Sequence, residues 1–227
     1  VVTTAIDDVF YTQTSVTTGL SATLFTTTTG VLKFNGSTTR NLIEAGEWGA
    51  NGNAAIAEIA MDPGTTGTFL SGAKFKSLTI TSGTLSLGSA ATSSVSLALN
   101  GMATCLKIKS GAKLTLYRSG FSSNGAIYGN NSNTPCTNIT IDPFGVIEVQ
   151  GTEVCINCTS FINNGTIVYY GGTGILLQPN LSAAIPITSY KNLILAGTGK
   201  KTIDTGTVIT VSDTLRMEGT KNCFLAS

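Results

Sequence analysis

The chain has 227 residues, of which 11% are charged and 7% are aromatic, and its formal net charge is +1. An average soluble domain is about 25% charged, so the composition excludes a coiled coil or a helical bundle with charged faces. The 13 Lys and Arg residues are balanced by 12 Asp and Glu residues, which leaves no basic surface for nucleic acid. Thr, Ser, Asn and Gly fill 100 of the 227 positions, a composition typical of short strands and turns.

The first 61 residues are predicted to form a Thr-rich N-terminal extension, since 13 of the first 40 residues are Thr. Two stretches within it, 9–16 and 20–25, are predicted to be extended. They would cap the first coil of the following domain, or pair with the open edge of another subunit. Residues 53–61 contain helix formers and are predicted to make two helical turns. The candidate assembly strand comprises Val9, Phe10, Tyr11, Val16, Leu20, Leu24 and Phe25.

The second domain is predicted to span residues 62–227, after a turn-rich stretch at 62–67. Here two short alternating strands flank a turn glycine, and this unit recurs. The turn glycines of the four clearest copies are Gly83, Gly111, Gly145 and Gly165. Two more degenerate copies lie at 193–199 and 208–217.

A period of 20 to 34 residues with such short strands predicts an all-β fold of the β-solenoid type. One coil cannot bury its inward aliphatic side chains alone, but coils stacked about 4.8 Å apart bury them on one another. Glycine suits the corners because it accepts positive φ angles. The alternative is a β-sandwich or jelly roll with strand exchange, since its strands also alternate and end at glycine.

The sequence SYKNLILAGTGKKTI at 189–203, with its continuation to residue 215, resembles a known repeat. It is similar to the Y-x-N-L-x-L-x-G-x-G-x-K-T-[LI] repeat of secreted, surface-displayed β-solenoid proteins of Bacteroidota-type bacteria, and weaker echoes extend over 72–220. The resemblance implies an adhesin or filament protein at the cell surface. It implies no catalytic residue, because that family shares none.

Five cysteines in a charge-poor chain rich in Thr, Ser and Asn predict an exported, extracellular protein with disulfides. We expect Cys105 or Cys136 to pair with Cys155 or Cys158, although the sequence does not define the connectivity. Cys223, close to the C-terminus, is predicted to be free or to join a neighbouring subunit.

Six Asn-x-Ser/Thr sequons are candidate glycosylation sites. No apolar stretch approaches the roughly 18–20 residues that a membrane span needs. The sequons lie at Asn35, Asn130, Asn138, Asn157, Asn164 and Asn180.

No histidine is present, so catalytic triads and imidazole metal ligands are excluded. The carboxylates Asp142 and Glu148 flank one corner, and a solvated corner explains them better than a catalytic pair. The CxxC motif at 155–158 has neither the helix of a redox site nor a second CxxC for zinc. We therefore expect no catalytic residue, cofactor or metal. Trp48, Tyr117, Tyr128, Tyr169 and Tyr170 are aromatic residues that would stack on sugars if exposed.

Three functions follow from these observations. The first is a secreted structural protein that stacks head to tail with copies of itself into a filament or sheath, or forms a segment of an adhesin. The second is a non-catalytic module that binds polysaccharides. The third, a polysaccharide-cleaving enzyme, would need three or more charged residues converging on one face.

Overall fold

The computed structural model describes fourteen segments of the chain: 3–6, 31–42, 56–70, 72–90, 95–100, 103–117, 126–129, 134–151, 156–170, 175–176, 187–198, 201–202, 208–219 and 225–226. Every regular element in these segments is a β-strand. The prediction of an all-β fold is therefore confirmed.

The strands form four sheets, named A to D here. Sheet A contains, in spatial order, Thr3–Ile6 (β1), Val31–Gly36 (β2), Ile56–Met61 (β4), Ser77–Ser82 (β7), Leu106–Ile108 (β10), Cys136–Ile141 (β13) and Cys158–Asn163 (β15). Sheet B contains, in spatial order, Arg40–Leu42 (β3), Thr66–Phe69 (β5), Thr84–Leu87 (β8), Lys113–Leu116 (β11), Val146–Val149 (β14), Thr166–Tyr169 (β16), Ser189–Leu195 (β18) and Thr210–Met217 (β20). Sheet C contains Ala73–Phe75 (β6), Leu97–Leu99 (β9) and Ile127–Tyr128 (β12), and sheet D contains Ile175–Leu176 (β17), Lys201–Thr202 (β19) and Leu225–Ala226 (β21).

From β2 onwards, consecutive strands lie in different sheets, and each strand pairs with its equivalent from an earlier or later passage. The chain visits sheets A, B and C in turn through β4, β5 and β6, then again through β7, β8 and β9, and again through β10, β11 and β12. We call each such passage a coil. Every strand pairing in the segments listed above is parallel, whereas the sandwich or jelly-roll alternative requires antiparallel hairpins. The stacking of parallel strands that we predicted is confirmed.

The register places like residues on one another. In sheet A, Ile59, Ile80, Ile108 and Ile141 are successive register partners and all are buried. Residues between the inward positions, such as Lys107, are only half-buried. The core is therefore a set of aliphatic columns that run across the strands, which is how short strands from separate coils share one hydrophobic interior.

The four predicted turn glycines lie at corners between sheets A and B. The φ angles explain why two of them are glycine. Gly83 and Gly111 have φ of 66° and 77°, a conformation that glycine adopts readily. Gly145 and Gly165 do not have positive φ. They are needed because neighbouring coils approach closely: an added Cβ at Gly145 would lie 3.0 Å from the carbonyl oxygens of Asp142 and Ile108, and one at Gly165 would overlap the carbonyl oxygen of Gly145.

Two predictions about the first 61 residues need correction. Residues 56–61 form strand β4 rather than helical turns, because Ala57, Ile59 and Met61 fill the inward positions of sheet A between two neighbouring strands. The sheets also do not begin at residue 62, since β1 to β4 pair directly with the strands that follow. The predicted extended stretches at 9–16 and 20–25 lie outside the described residues.

Candidate assembly surface at the C-terminal end

Strand β20 is the last strand of sheet B. It pairs through one edge with β18, and no strand of the described segments pairs with its other edge. The backbone N–H and C=O groups of an edge strand can accept a further strand. This edge is therefore the first element of a candidate assembly surface, which we define as Val208 and β20.

The side chains of β20 continue the inward columns of sheet B. Leu215 is the register partner of Leu193, and Met217 is that of Leu195. The two residues of β18 are buried, but Leu215 is 52% exposed and Met217 is 53% exposed. Val208, just before the strand, is also exposed. The apolar columns therefore reach the end of the sheet with their last members in contact with solvent.

The same columns are closed at their other end. The first strand of sheet B is β3, and its Leu42 is only 3% exposed. Leu42 also fills the space over Gly67 in the next coil, where an added Cβ would lie 2.8 Å from Leu42 Cδ1. In the described segments both β3 and β20 have one partner strand, but the two ends of sheet B differ in apolar exposure: Leu42 is buried, whereas Leu215 and Met217 are exposed.

Charged residues commonly block pairing at sheet edges, but β20 contains only two of them, Asp213 and Arg216. Asp213 forms an ion pair with Lys191 of the neighbouring strand, with 3.4 Å between Nζ and Oδ2. Arg216 forms an ion pair with Glu218. Both charges on β20 are thereby paired within the chain, so the strand carries no unpaired charge against an incoming strand.

Sheet A ends differently, at β15. Asn163 occupies the register position of Ile141, which replaces the aliphatic column with a half-buried amide. Its Oδ1 accepts a hydrogen bond from the backbone N–H of Gly165 at 3.1 Å, while its Nδ2 is buried without a hydrogen-bond partner. A polar residue ends this column. The neighbouring column of sheet A ends at Phe161, the register partner of Ile139, which is half-buried against the core, so the column ends that are more than half exposed belong to sheet B.

The predicted disulfides are not formed by the cysteines that the structure describes. Cys105, Cys136 and Cys158 are buried free thiols, whereas Cys155 and Cys223 lie outside the described residues. The Cys136 thiol donates a hydrogen bond to Cys105, which lowers the pKa of Cys105 and raises that of Cys136. Burial raises the pKa of Cys158 to about 12. In the described segments no cluster of three Cys, Asp or Glu residues is placed to hold a metal ion.

The carboxylates that flank the Gly145 corner do not face each other as a pair. Asp142 follows sheet A and forms an ion pair with Lys107 at 3.3 Å. Glu148 lies in sheet B and forms an ion pair with Lys113 at 3.3 Å. Each lysine comes from the neighbouring coil, so these charges connect successive coils.

The aromatic residues proposed to stack on sugars are mostly covered. Tyr169 is buried, and its hydroxyl lies 3.0 Å from the hydroxyl of Tyr190. Tyr117 and Tyr128 are half-buried, and Trp48 lies outside the described residues. Tyr170 is exposed, so the predicted Tyr169–Tyr170 platform reduces to one ring.

The sequons fall into three groups. Asn35 and Asn164 are exposed and remain candidate glycosylation sites. Asn157 is 2% exposed, so its side chain is not available for a glycan in the folded chain, whereas Asn138 is half-buried with its Oδ1 buried. Asn130 and Asn180 lie outside the described residues.

The sequence identified 208–217 as a coil but did not reveal that its inward residues Leu215 and Met217 are exposed. Its Leu-x-Met alternation was a usable signal, because it matches Leu193 and Leu195 in the preceding copy. The candidate assembly strand proposed from the sequence, which runs from Val9 to Phe25, lies outside the described residues. The described segments contain no helix with the length and apolar character that a membrane crossing requires.

Comparison of the chain with known protein families, with characterised proteins and with solved structures found no match.

Proposed function

We propose that this chain is a structural protein of the cell exterior, which winds as a β-solenoid and associates with copies of itself through its open C-terminal end. Head-to-tail repetition of this contact would form a filament or sheath, or extend the stalk of an adhesin. The exposed Leu215 and Met217, in register with the buried Leu193 and Leu195, carry the proposal.

The regular sequence of sheets supports the solenoid. Three successive coils visit sheets A, B and C in the same order, and the in-register parallel pairing makes each coil cover the preceding one. A chain that repeats this path with parallel pairing in every sheet advances by one strand spacing per coil, about 4.8 Å.

The energetics of the open end favour an added strand. Fully burying a Leu or Met side chain stabilises by about 1.5–3 kcal/mol, so covering the exposed half of Leu215 and of Met217 contributes about 1 kcal/mol each. A parallel strand on β20 would also satisfy the backbone groups of its free edge. The strand best suited to this position resembles β18, with aliphatic residues at alternate positions.

The N-terminal segment of a second copy supplies the incoming strand in this proposal. Leu42 is buried, so the first strand of sheet B presents no exposed aliphatic side chain to pack on Leu215 and Met217 of another copy. The candidate assembly strand contains aliphatic and aromatic residues, among them Val9, Tyr11 and Phe25. Exchange of this segment would provide a strand and leave the N-terminal coils intact.

The location outside the cell rests on composition and on the resemblance of the 189–215 repeat to secreted solenoid proteins. A low charge content and an abundance of Thr, Ser and Asn are the supporting observations. Fractionation of the native host into cells, wall material and medium tests this part independently of assembly. Recovery of the protein in the cytosol would contradict it.

Assembly is tested by light scattering after size-exclusion chromatography and by negative-stain microscopy. We expect the unmodified chain to form concentration-dependent oligomers or rods, and the double variant Leu215→Lys with Met217→Lys to stay monomeric with an unchanged thermal midpoint. The matched control is Thr214→Lys on the same strand, between the inward positions, which should still assemble. A monomer at all concentrations for the unmodified chain would contradict the proposal.

A further inference from the structure

Three corners between sheets A and B share one turn geometry. In each, the fourth residue donates its backbone N–H to the carbonyl oxygen of the first: Thr65 to Asp62, Ala112 to Lys109, and Gly145 to Asp142, at 3.0, 3.0 and 2.9 Å. The third residue of each turn has positive φ. Two of these third residues are Gly64 and Gly111, with φ of 83° and 77°, and the other is Phe144, with φ of 64°.

Phe144 is unfavourable for stability in two ways. A bulky residue in the left-handed region is a genuine outlier, and the free-energy cost is one that glycine in the equivalent turns avoids. The ring is also 81% exposed, more than any other large hydrophobic side chain in the described residues. Because the ring is exposed, packing in the core does not account for Phe144. Strained residues of this kind persist at functional positions.

The surroundings of the ring are open and polar. The Gly111 N–H of the neighbouring corner donates a hydrogen bond to the carbonyl oxygen of Phe144 at 3.2 Å. Because residue 111 is glycine, this corner has no side chain beside Phe144. An added Cβ at Gly111 would meet no atom within 4 Å. Lys109 on one neighbouring corner and Asn164 on the other are exposed. The aromatic ring is thus exposed at its own corner, and a cation and an amide are exposed on the two neighbouring corners.

We propose that Phe144 is a stacking platform for a carbohydrate chain, with Lys109 and Asn164 as hydrogen-bond donors to its hydroxyl groups. A sugar ring has an apolar face of C–H groups and a rim of hydroxyls, which matches one aromatic ring with polar neighbours. A protein hot spot would instead be expected in a desolvated apolar cluster. The other exposed large hydrophobic residues on the described strands are Ile162 on β15 and Leu215 and Met217 on β20, and none of them lies at a corner.

The test is a pelleting assay with insoluble cellulose, chitin and peptidoglycan, combined with affinity electrophoresis in soluble xylan and dextran. We expect the unmodified chain to bind at least one of these polysaccharides. Phe144→Gly should bind about tenfold more weakly, the factor for loss of one stacking contact. It should also have an equal or higher thermal midpoint, because the strain is removed. Phe144→Tyr should retain binding.

Lys109→Ala and Asn164→Ala should each weaken binding, and Ser110→Ala on the same corner as Lys109 is the matched control that should not. The proposal is overturned if the unmodified chain binds none of the five polysaccharides, or if Phe144→Gly binds as the unmodified chain does. It is also overturned if Phe144→Gly changes the oligomeric state while leaving polysaccharide binding intact, since the corner would then be a protein contact. The Leu215→Lys with Met217→Lys variant should bind normally, which separates this site from the assembly surface.

Discussion

Met217 lies in register beside Leu195 in sheet B, yet Leu195 is fully buried while Met217 is half exposed. The two residues hold equivalent positions in adjacent strands, and they differ because a further strand covers Leu195 and none in the described segments covers Met217. The strands are alike in register but not in environment. Within the described segments, Leu195 therefore has a neighbouring strand on both sides and Met217 on one side only.

Truncating Leu195 or Met217 to alanine should lower the stability of the monomer by unequal amounts. Leu195→Ala should destabilise the monomer by about 2–5 kcal/mol, because it leaves a cavity in the column. Met217→Ala should change monomer stability by less than about 1 kcal/mol, because its side chain is already half in solvent. Urea unfolding at low protein concentration measures both, and equal losses would show that β20 is covered in the monomer.

Replacing either of the two buried tyrosines by phenylalanine should destabilise the fold, but by unequal amounts. Tyr190 donates to the carbonyl oxygen of Ile187 at 3.1 Å, and Tyr169 lies 3.0 Å from the Tyr190 hydroxyl. Tyr190→Phe would leave the Tyr169 hydroxyl buried without its partner, at a cost of about 1–3 kcal/mol. Tyr169→Phe removes one hydrogen bond but leaves Tyr190 bonded to Ile187, and should cost about 0.5–1.5 kcal/mol.

Thermal unfolding of the two variants and of the double variant Tyr169→Phe with Tyr190→Phe gives the comparison. The double variant should be less destabilised than the sum of the single variants, because no hydroxyl is then left unpaired. Strict additivity would argue that the two hydroxyls do not interact.

Alkaline pH should weaken the fold. Burial raises the pKa of Cys158 from 9.0 to about 12 and that of Tyr190 from 10.0 to about 12. Above pH 9 the unfolded chain loses protons that the folded chain retains, so the free energy of unfolding falls as pH rises towards 12. Thermal midpoints between pH 7 and pH 11 measure the slope, which Cys158→Ala should reduce.

The same burial should protect the thiols from reagents. At pH 8 we expect Cys105, Cys136 and Cys158 to react with iodoacetamide in urea but slowly in buffer, because all three side chains are buried away from the reagent. Peptide mapping identifies the labelled residues. Rapid labelling of Cys158 in the native protein would contradict its placement in the core.

The corner glycines should differ in their tolerance of alanine. Gly111→Ala meets no neighbouring atom and should cost about 1–2 kcal/mol for positive φ alone. Gly165→Ala would force a Cβ onto the carbonyl oxygen of Gly145 and close to that of Asp142, so we expect a larger loss. Similar losses in chemical unfolding would show that the coils separate easily at this corner.

The class of fold and the repeating unit could be predicted from the amino-acid sequence. Alternation in segments such as 78–87 and 106–116 reports which side chains face inward, and recurrence of the unit reports that coils stack. Both are local properties of the chain, since the alternation depends only on the strand geometry. Positive φ at Gly83 and Gly111 was predictable for the same reason.

The burial of each repeated position depends on tertiary contacts and could not be predicted from the sequence. Alternation puts Thr115 opposite in direction to Leu114 and Leu116, yet Thr115 is buried as they are. The thiol of Cys136 lies against Cys105 rather than in a disulfide, and residues 56–61 are a strand because β2 and β7 flank them. Burial depends on contacts between residues that are distant in sequence, so the pattern that predicts Leu195 and Met217 as equivalent cannot show which of them is buried.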